Sequence, residues 1–525
     1  MSKTVLVAGA GPVGLAGALS LAQAGVPVRI IDRLATPTNQ SRAAIVQART
    51  MEHFQRLGSA DDFLAAGVRV FGVAIYGPGH TLLTRNSLEH LPTPYPFMLG
   101  LEQSETERLL TGRLRQAGVE IERAVELTGL ADQGDCVTVQ LRRADGRETS
   151  EDFAWVIGAD GARSAVRAAL GLHLEGETLD TTWITADVKI RWDRDPGEAV
   201  ACLTPEGIAF IAAMNDGRWR VIVNSHKMTP EEAQGITLAE VQNLVNAHCG
   251  TEVELYDPVW ISPFGINTRM VSQMSRGRVF LAGDAAHVHS PVGGQGMNTG
   301  IQDALNLTWK MALVHRGLAR PELLDSYNAE RHANAKRLLD GVGPLTKIAS
   351  LRNPVAVEVR NQVVRLVSQL GLNRGVPRLV SMIDVGYPLS PIVSEVERGW
   401  LHRGPRAGER APDAGDLLVA EDSGPRSLFE LWQGNDRHQM LVFQDEETGG
   451  PEFPDSPLYT VTRILRQGCP GPGRVIDAQG QAHEAYEPHA GGFYLVRPDG
   501  IIAFRCDRPD PAALREYLDK WYPGA

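Results

Sequence analysis

Three short runs of residues have the types and spacing to hold a phosphate-bearing ligand. Gly9-Ala10-Gly11-Pro12-Val13-Gly14 forms a GxGxxG pattern, with Asp32 and Arg33 closing the apolar run that follows. Where such a run lies between a strand and a helix, the first glycine permits a tight turn and the second lets a pyrophosphate approach the backbone. The third lets helix pack on strand, and the N–H groups at the helix start receive the phosphate charge. Asp32 is then placed to accept hydrogen bonds from ribose hydroxyls. The pattern alone does not separate a nicotinamide dinucleotide from a flavin dinucleotide.

Gly158-Ala159-Asp160-Gly161-Ala162-Arg163-Ser164 and Gly283-Asp284-Ala285-Ala286-His287 each follow an apolar run that ends abruptly, as loops at the carboxyl edge of a sheet do. The segment Pro291-Val292-Gly293-Gly294-Gln295-Gly296-Met297-Asn298 comes next. Its glycines remove side chains where a flat ring system must approach, and Met297-Asn298 opens a helix whose positive end favours negative charge. His287-Val288-His289 invites a metal reading, but no carboxylate or cysteine set completes a site, so a hydrogen-bonded loop histidine is expected and no metal.

The elements that carry these loops follow from the apolar pattern. Thr4 to Ala8 reads as a strand, Leu15, Leu19 and Ala22 as a helix, and Val26 to Ile31 as a second strand, a βαβ opening. Thr182 to Trp192, Gly207 to Met214, Arg218 to Ser225 and Val253 to Ile261 are rich in β-branched and aromatic residues, the texture of an inserted, mainly antiparallel sheet. Ile301, Leu305, Trp309 and Ala312 mark one helix, and Val355, Val359, Val363, Leu366 and Leu370 another, whose stripe is expected to pack in the core or between domains. Gly404 to Pro412 reads as a linker to a terminal α/β unit, with strands at Met440 to Phe443, Phe493 to Val496 and Ile501 to Phe504.

A length of 525 residues implies roughly two to four domains. A net charge of −11 argues against nucleic acid and anionic lipid as partners and leaves a small molecule as the default. Thr4 to Val28 carries no charge, yet its glycines and proline break it as a targeting or membrane helix, so no membrane association is expected. Five scattered cysteines without a CxxC fit a reducing, cytoplasmic setting.

Taken together, the three loops, Ser41-Arg42, Ala48 to Glu52, and Gln103 with Glu105-Thr106-Glu107-Arg108 resemble the flavoprotein aromatic hydroxylases, the single-component FAD monooxygenases with the p-hydroxybenzoate hydroxylase fold. The likeness covers roughly residues 1 to 340 and is strongest to the pentachlorophenol, phenol and polyketide hydroxylase branch, whose larger members carry a thioredoxin-like terminal domain. Val496-Arg497-Pro498-Asp499-Gly500 is the most recognisable part of that extension, which here lacks a cysteine pair.

The resemblance implies an α/β chain with a Rossmann-like FAD-binding domain, an inserted antiparallel substrate sheet and a C-terminal thioredoxin-like domain. The corresponding segments are 1–72, 98–178 and 268–350 for FAD, 73–97 and 179–267 for substrate, 351–398 as a helical connection, and 399–525 for the terminal domain. It further implies that FAD is held by Gly9, Gly11, Val13, Gly14, Asp32, Arg33, Arg42, Gln103, Val125, Asp160, Gly283, Asp284, Gly294, Gly296, Met297 and Asn298. NADPH or NADH would reduce FAD, and dioxygen captured as a flavin hydroperoxide would transfer one atom to a phenolic or polycyclic aromatic substrate. Pro291 and Arg49 are the candidates beside the reaction, and Phe210, Trp219 and Val221, with Pro291 opposite, are the candidate pocket wall; the general base is not assigned. Baeyer-Villiger oxygenation, a non-oxygenating flavin reductase or dehydrogenase, and a sequestering protein remain as alternatives, and a homodimer is open.

Overall fold

The four residues of the strand Val5–Ala8 are all buried, and all apolar, because the strand lies in the middle of a parallel sheet covered on both faces. The computed structural model describes residues 3–523 apart from 39–42, 226–232, 251–252, 290–292, 350, 352, 372, 374, 397–403, 420–423, 446–450 and 489–490. Val5–Ala8 pairs in parallel with Val28–Asp32 on one side and Trp155–Gly158 on the other, and Trp155–Gly158 pairs in parallel with Val279–Leu281. Three neighbouring strands therefore end at the same edge, and the three loops that follow them converge there. The helices Pro12–Gln23 and Gly296–His315 pack closely, a Cβ added to Gly17 falling 3.3 Å from Ala304 Cβ.

The second sheet has eight strands, in the order His287–Val288, Glu254–Met270, Glu175–Arg191, Trp219–Ser225, Gly207–Ala213, Glu198–Thr204, Gly72–Gly77 and Thr81–Ser87. Every pairing in it is antiparallel except Glu198–Thr204 with Gly72–Gly77. The helix Leu238–Cys249 covers its outer face, with Val241 and Val245 packed against Trp219, Val221 and Val223. A reciprocal cap between Thr237 and Glu240 fixes where that helix starts.

The C-terminal unit is a seven-stranded mixed sheet closed by the helix Pro511–Trp521. Gly404 to Pro412 is not a free linker: Ala407 and Ala411 are buried, and Arg410 forms two hydrogen bonds with the Glu52 carboxylate. Its glycines and prolines shape a docked loop instead. The stripe on the helix Pro354–Gln369 is corrected too, since Val355 and Leu370 are 73% and 62% exposed and the residues between them on that face also meet solvent.

The terminal unit is held to the first by buried charge. Arg497 bonds to both oxygens of Glu330, at 2.6 and 3.0 Å, and to Asp499, while Lys310 Nζ reaches Glu330 at 2.8 Å. Asn306 Nδ2 donates to Glu330 and Asp499, so two cations and two carboxylates share one dry, fully partnered cluster. Burial pushes Glu330 up, but Arg497 and Lys310 outweigh it and hold that carboxyl at about 2; Arg410 and Arg49 do the same for Glu52. Burial also holds His53 and His438 down at about 3.

All four groups bind protons less readily folded than unfolded, so each contributes stability above its ordinary pKa that is lost as pH falls through its folded value. The histidines should begin to erode the fold below pH 6.5, and the two carboxyls add about 3 kcal/mol each between pH 4.5 and 2. Tryptophan fluorescence across an acid titration checks this, and flat stability down to pH 3 would contradict it.

Candidate active site

A cleft of about 960 Å³ runs from the converging loops to the inner face of the eight-stranded sheet. Gly9 turns with φ +106°, and a Cβ on Gly14 would lie 1.9 Å from Gly9 O, so these two glycines are required by the turn and by helix packing. Gly11 differs: a Cβ there meets nothing within 4 Å, and the open space is the cleft. Room is thus left for a ligand at the one glycine that protein packing does not need. Asp32 Oδ2 accepts from Ala10 N at 2.7 Å and Oδ1 from Leu34 N at 2.8 Å, which fixes the carboxylate at the cleft edge.

Gly9, Gly11, Val13, Asp32, Arg33, Gln103, Val125, Asp160, Asp284, Gly294, Gly296 and Met297 all line the cleft. Asp160 Oδ2 accepts from Ala165 N and Val166 N while Oδ1 is buried without a partner, and burial raises its pKa. Gly14, Gly283 and Asn298 pack behind the lining. Asn298 accepts from Gln47 N and donates to Ile45 O and Gly294 O, so it positions the glycine loop. Arg42 and Pro291 lie outside the described residues.

Three expectations are corrected. Arg49 does not line the cleft; it is 3% exposed, paired with Glu52 at 2.7 Å and bonded to Asp499 O at 2.7 Å, where it serves the contact with the terminal unit. Trp219 and Val221 belong to the outer core under the helix Leu238–Cys249, because alternate residues of a strand face opposite ways. Their neighbours Arg220 and Ile222 line the cleft with Phe210, and so do Ile75, Thr185 and Ala201, which the sequence did not single out.

A buried triad stands behind Asp284. Asp303 accepts from Gly283 N at 3.0 Å, His287 Nε2 lies 2.7 Å from its Oδ2, and Arg331 Nε donates to Oδ1 at 2.6 Å. Arg331 continues to Tyr387 Oη and Thr299 O. His287 is therefore a structural partner of Asp303. Burial pushes the Asp303 carboxyl up, yet Arg331 and His287 outweigh it and hold it below its usual range.

A dinucleotide cradle opening onto the inner face of a second sheet is the arrangement of an enzyme that brings a bound cofactor against a substrate wall. The comparisons agree. The model of the FAD binding domain matches residues 2–342. The 6-methylpretetramide 4-monooxygenase of Streptomyces rimosus is 37% identical over 98% of this chain and 92% of its own. The pentachlorophenol 4-monooxygenase of Sphingobium chlorophenolicum is 32% identical over 96% and 94%. Among solved structures, the anhydrotetracycline hydroxylase OxyS of Streptomyces rimosus superposes with TM-score 0.76 at 28% identity, covering 99% of both chains. The chain belongs to the FAD binding domain family of monooxygenases. It is an enzyme that uses FAD with NAD(P)H as co-substrate, and oxygenation stands over a reductase or a sequestering role.

The cradle fits FAD: Gly11 leaves open space at the helix start, and Asp32 and Asp284 stand on the cleft wall, where they would hold the ribose hydroxyls and the ribityl chain. Asp284→Ala should purify with a small fraction of the wild-type flavin, read as the ratio of absorbance near 450 nm to that near 280 nm, while its circular dichroism stays that of the wild type. Full flavin occupancy would remove that role from Asp284.

Proposed function

We propose that the protein hydroxylates a phenolic or polycyclic aromatic small molecule, with NAD(P)H and dioxygen as co-substrates. One observation carries this reading: the dinucleotide cradle and the apolar wall of Phe210, Ile222, Ile75 and Ala201 share a single cleft. Bound FAD supplies the redox chemistry and oxygen activation, neither of which side chains provide. The residues of this chain hold it at the edge of the parallel sheet, orient the aromatic ring against the second sheet, and keep bulk water from the space between. The relatives, among them a 6-methylpretetramide 4-monooxygenase, an anhydrotetracycline 6-monooxygenase and a pentachlorophenol 4-monooxygenase, support the same class.

Phenols, hydroxybenzoates and polycyclic hydroxyquinones screened for stimulated NAD(P)H oxidation, with products analysed by mass spectrometry under labelled dioxygen, test it. A ring-hydroxylated product carrying one label is expected. A lactone would instead favour Baeyer-Villiger chemistry, and substrate-dependent oxidation without incorporation would overturn oxygenation.

The C-terminal unit reads as thioredoxin-like: His438–Gln444, Tyr459–Leu465 and Arg474–Asp477 are parallel, followed by the antiparallel Phe493–Val496 and Ile502–Cys506 and a final helix. Without a cysteine pair its role is structural. Scattered cysteines with no CxxC spacing support a cytoplasmic setting. Among the described residues no helix is long and apolar enough to cross a membrane. The exposed stripe of the helix Pro354–Gln369 supports a homodimer, which sedimentation would detect.

A further inference from the structure

Cys202 and Cys249 stand 47 positions apart in the chain, yet the fold brings their sulfurs into contact. Cys202 faces the outer layer from the strand Glu198–Thr204, while its neighbours Ala201 and Leu203 line the cleft. Cys249 is the last residue of the helix Leu238–Cys249, which covers that same layer. Cys202 Sγ donates to Cys249 Sγ at 3.2 Å, and both side chains are fully buried free thiols. Closing that gap to the roughly 2.05 Å of an S–S bond takes about 1 Å, which rotation about the two Cα–Cβ bonds can supply.

A cation stands beside the pair. Arg194 donates to Tyr76 Oη at 2.7 Å and to His80 Nε2 at 2.6 Å, and His80 Nδ1 donates to Cys249 O at 2.7 Å. An arginine only donates and a carbonyl only accepts, so His80 is held as the neutral tautomer with its proton on Nδ1. These bonds join Arg194 to neutral groups and leave its charge to favour the thiolate at the two sulfurs. The hydrogen bond from Cys202 outweighs burial and, with Arg194, holds the Cys249 thiol below its ordinary range. Cys506 is the contrast: it is equally buried, its sulfur bonds to Arg508 O, and burial pushes its thiol up.

We propose that Cys202 and Cys249 form a reversible disulfide that staples the helix Leu238–Cys249 to the back of the cleft wall, with Arg194 favouring the attacking sulfur. The oxidant is hydrogen peroxide, which dioxygen reduction yields when no oxygen atom reaches a substrate. The Cys249 thiolate attacks one peroxide oxygen, the O–O bond breaks, and the departing hydroxide takes up the thiol proton as water. The Cys202 sulfur then attacks the Cys249 sulfur; the S–S bond forms, the S–OH bond breaks, and the hydroxyl leaves as water with the Cys202 proton. Two thiols lose two electrons and the peroxide gains them. Cys249 closes its helix, and helix ends open most readily, which admits an oxidant little larger than water. Under reducing conditions thiol exchange clears the bond again.

The FAD-loaded enzyme is treated with hydrogen peroxide, denatured, blocked with N-ethylmaleimide and digested for mass spectrometry. The peptides of Cys202 and Cys249 are expected joined, two hydrogens lighter than their sum and restored by dithiothreitol, while Cys506 is recovered alkylated. Arg194→Gln should form the bond about fivefold more slowly. Oxidised wild type should melt about 2–4 °C above the reduced enzyme, a difference absent from Cys249→Ser.

Recovery of Cys202 and Cys249 as thiols once the exposed Cys469 is oxidised, or their separate conversion to sulfinic acids, overturns the proposal. An unchanged rate in Arg194→Gln overturns the part given to that cation, and a bond that forms without raising the melting temperature overturns the staple.

Discussion

Asp303→Ala is expected to yield protein that is largely colourless and much less stable than the wild type. The side chain is fully buried and ties three elements together: the Gly283 turn, His287 and Arg331. Removing it leaves the Arg331 guanidinium unexposed and without its counter-charge, a change that costs about 3–5 kcal/mol. The turn that presents Asp284 then loses the acceptor for its N–H, so flavin retention should fall with stability. Asp303→Asn keeps an acceptor of similar shape and should lie between the two. Flavin content and thermal melting of the two variants check this, and a wild-type melt with full colour in Asp303→Ala would show the triad to be dispensable.

Arg497→Ala is the second large effect. It strips Glu330 and Asp499 of their main partner inside a cluster with no access to water, and Lys310 alone cannot satisfy both. A loss of about 3–5 kcal/mol is expected, concentrated at the junction, so limited proteolysis should release the terminal unit while the FAD-binding part persists. The guanidinium lies 5.1 Å from the Trp309 ring, so tryptophan emission reports the same event. Arg497→Met combined with Glu330→Gln removes one charge of each sign and should be milder than the single change. Equal resistance of Arg497→Ala and wild type to protease would refute the anchoring role.

What the sequence made legible was local. A glycine turn, an acid at the end of a strand and a helix opening beside Met297 are written in neighbouring residues, and the cleft contains them as expected. Arg49 was misplaced because its partner Asp499 lies 450 positions further on, beyond any spacing rule. The strand Trp219–Ser225 misled for a different reason. Trp219 and Val221 alternate with Arg220 and Ile222, and the residue types of the strand do not say which of its two faces borders a cleft. Here the helix Leu238–Cys249 covers one face, and the face carrying Arg220 and Ile222 lines the cleft. Gly404 to Pro412 shows the same limit, since its composition describes a turn-rich backbone and says nothing of what Arg410 will grip.

That two-sidedness makes the cleft wall separable from the layer that supports it from behind. Ile75, Ala201, Phe210 and Ile222 project away from the layer that joins sheet to helix. A combinatorial library there can therefore reshape the cleft without disturbing the layer under the helix, with Ile75 and Ala201 the freer pair because Phe210 and Ile222 also pack against apolar clusters on the cleft side.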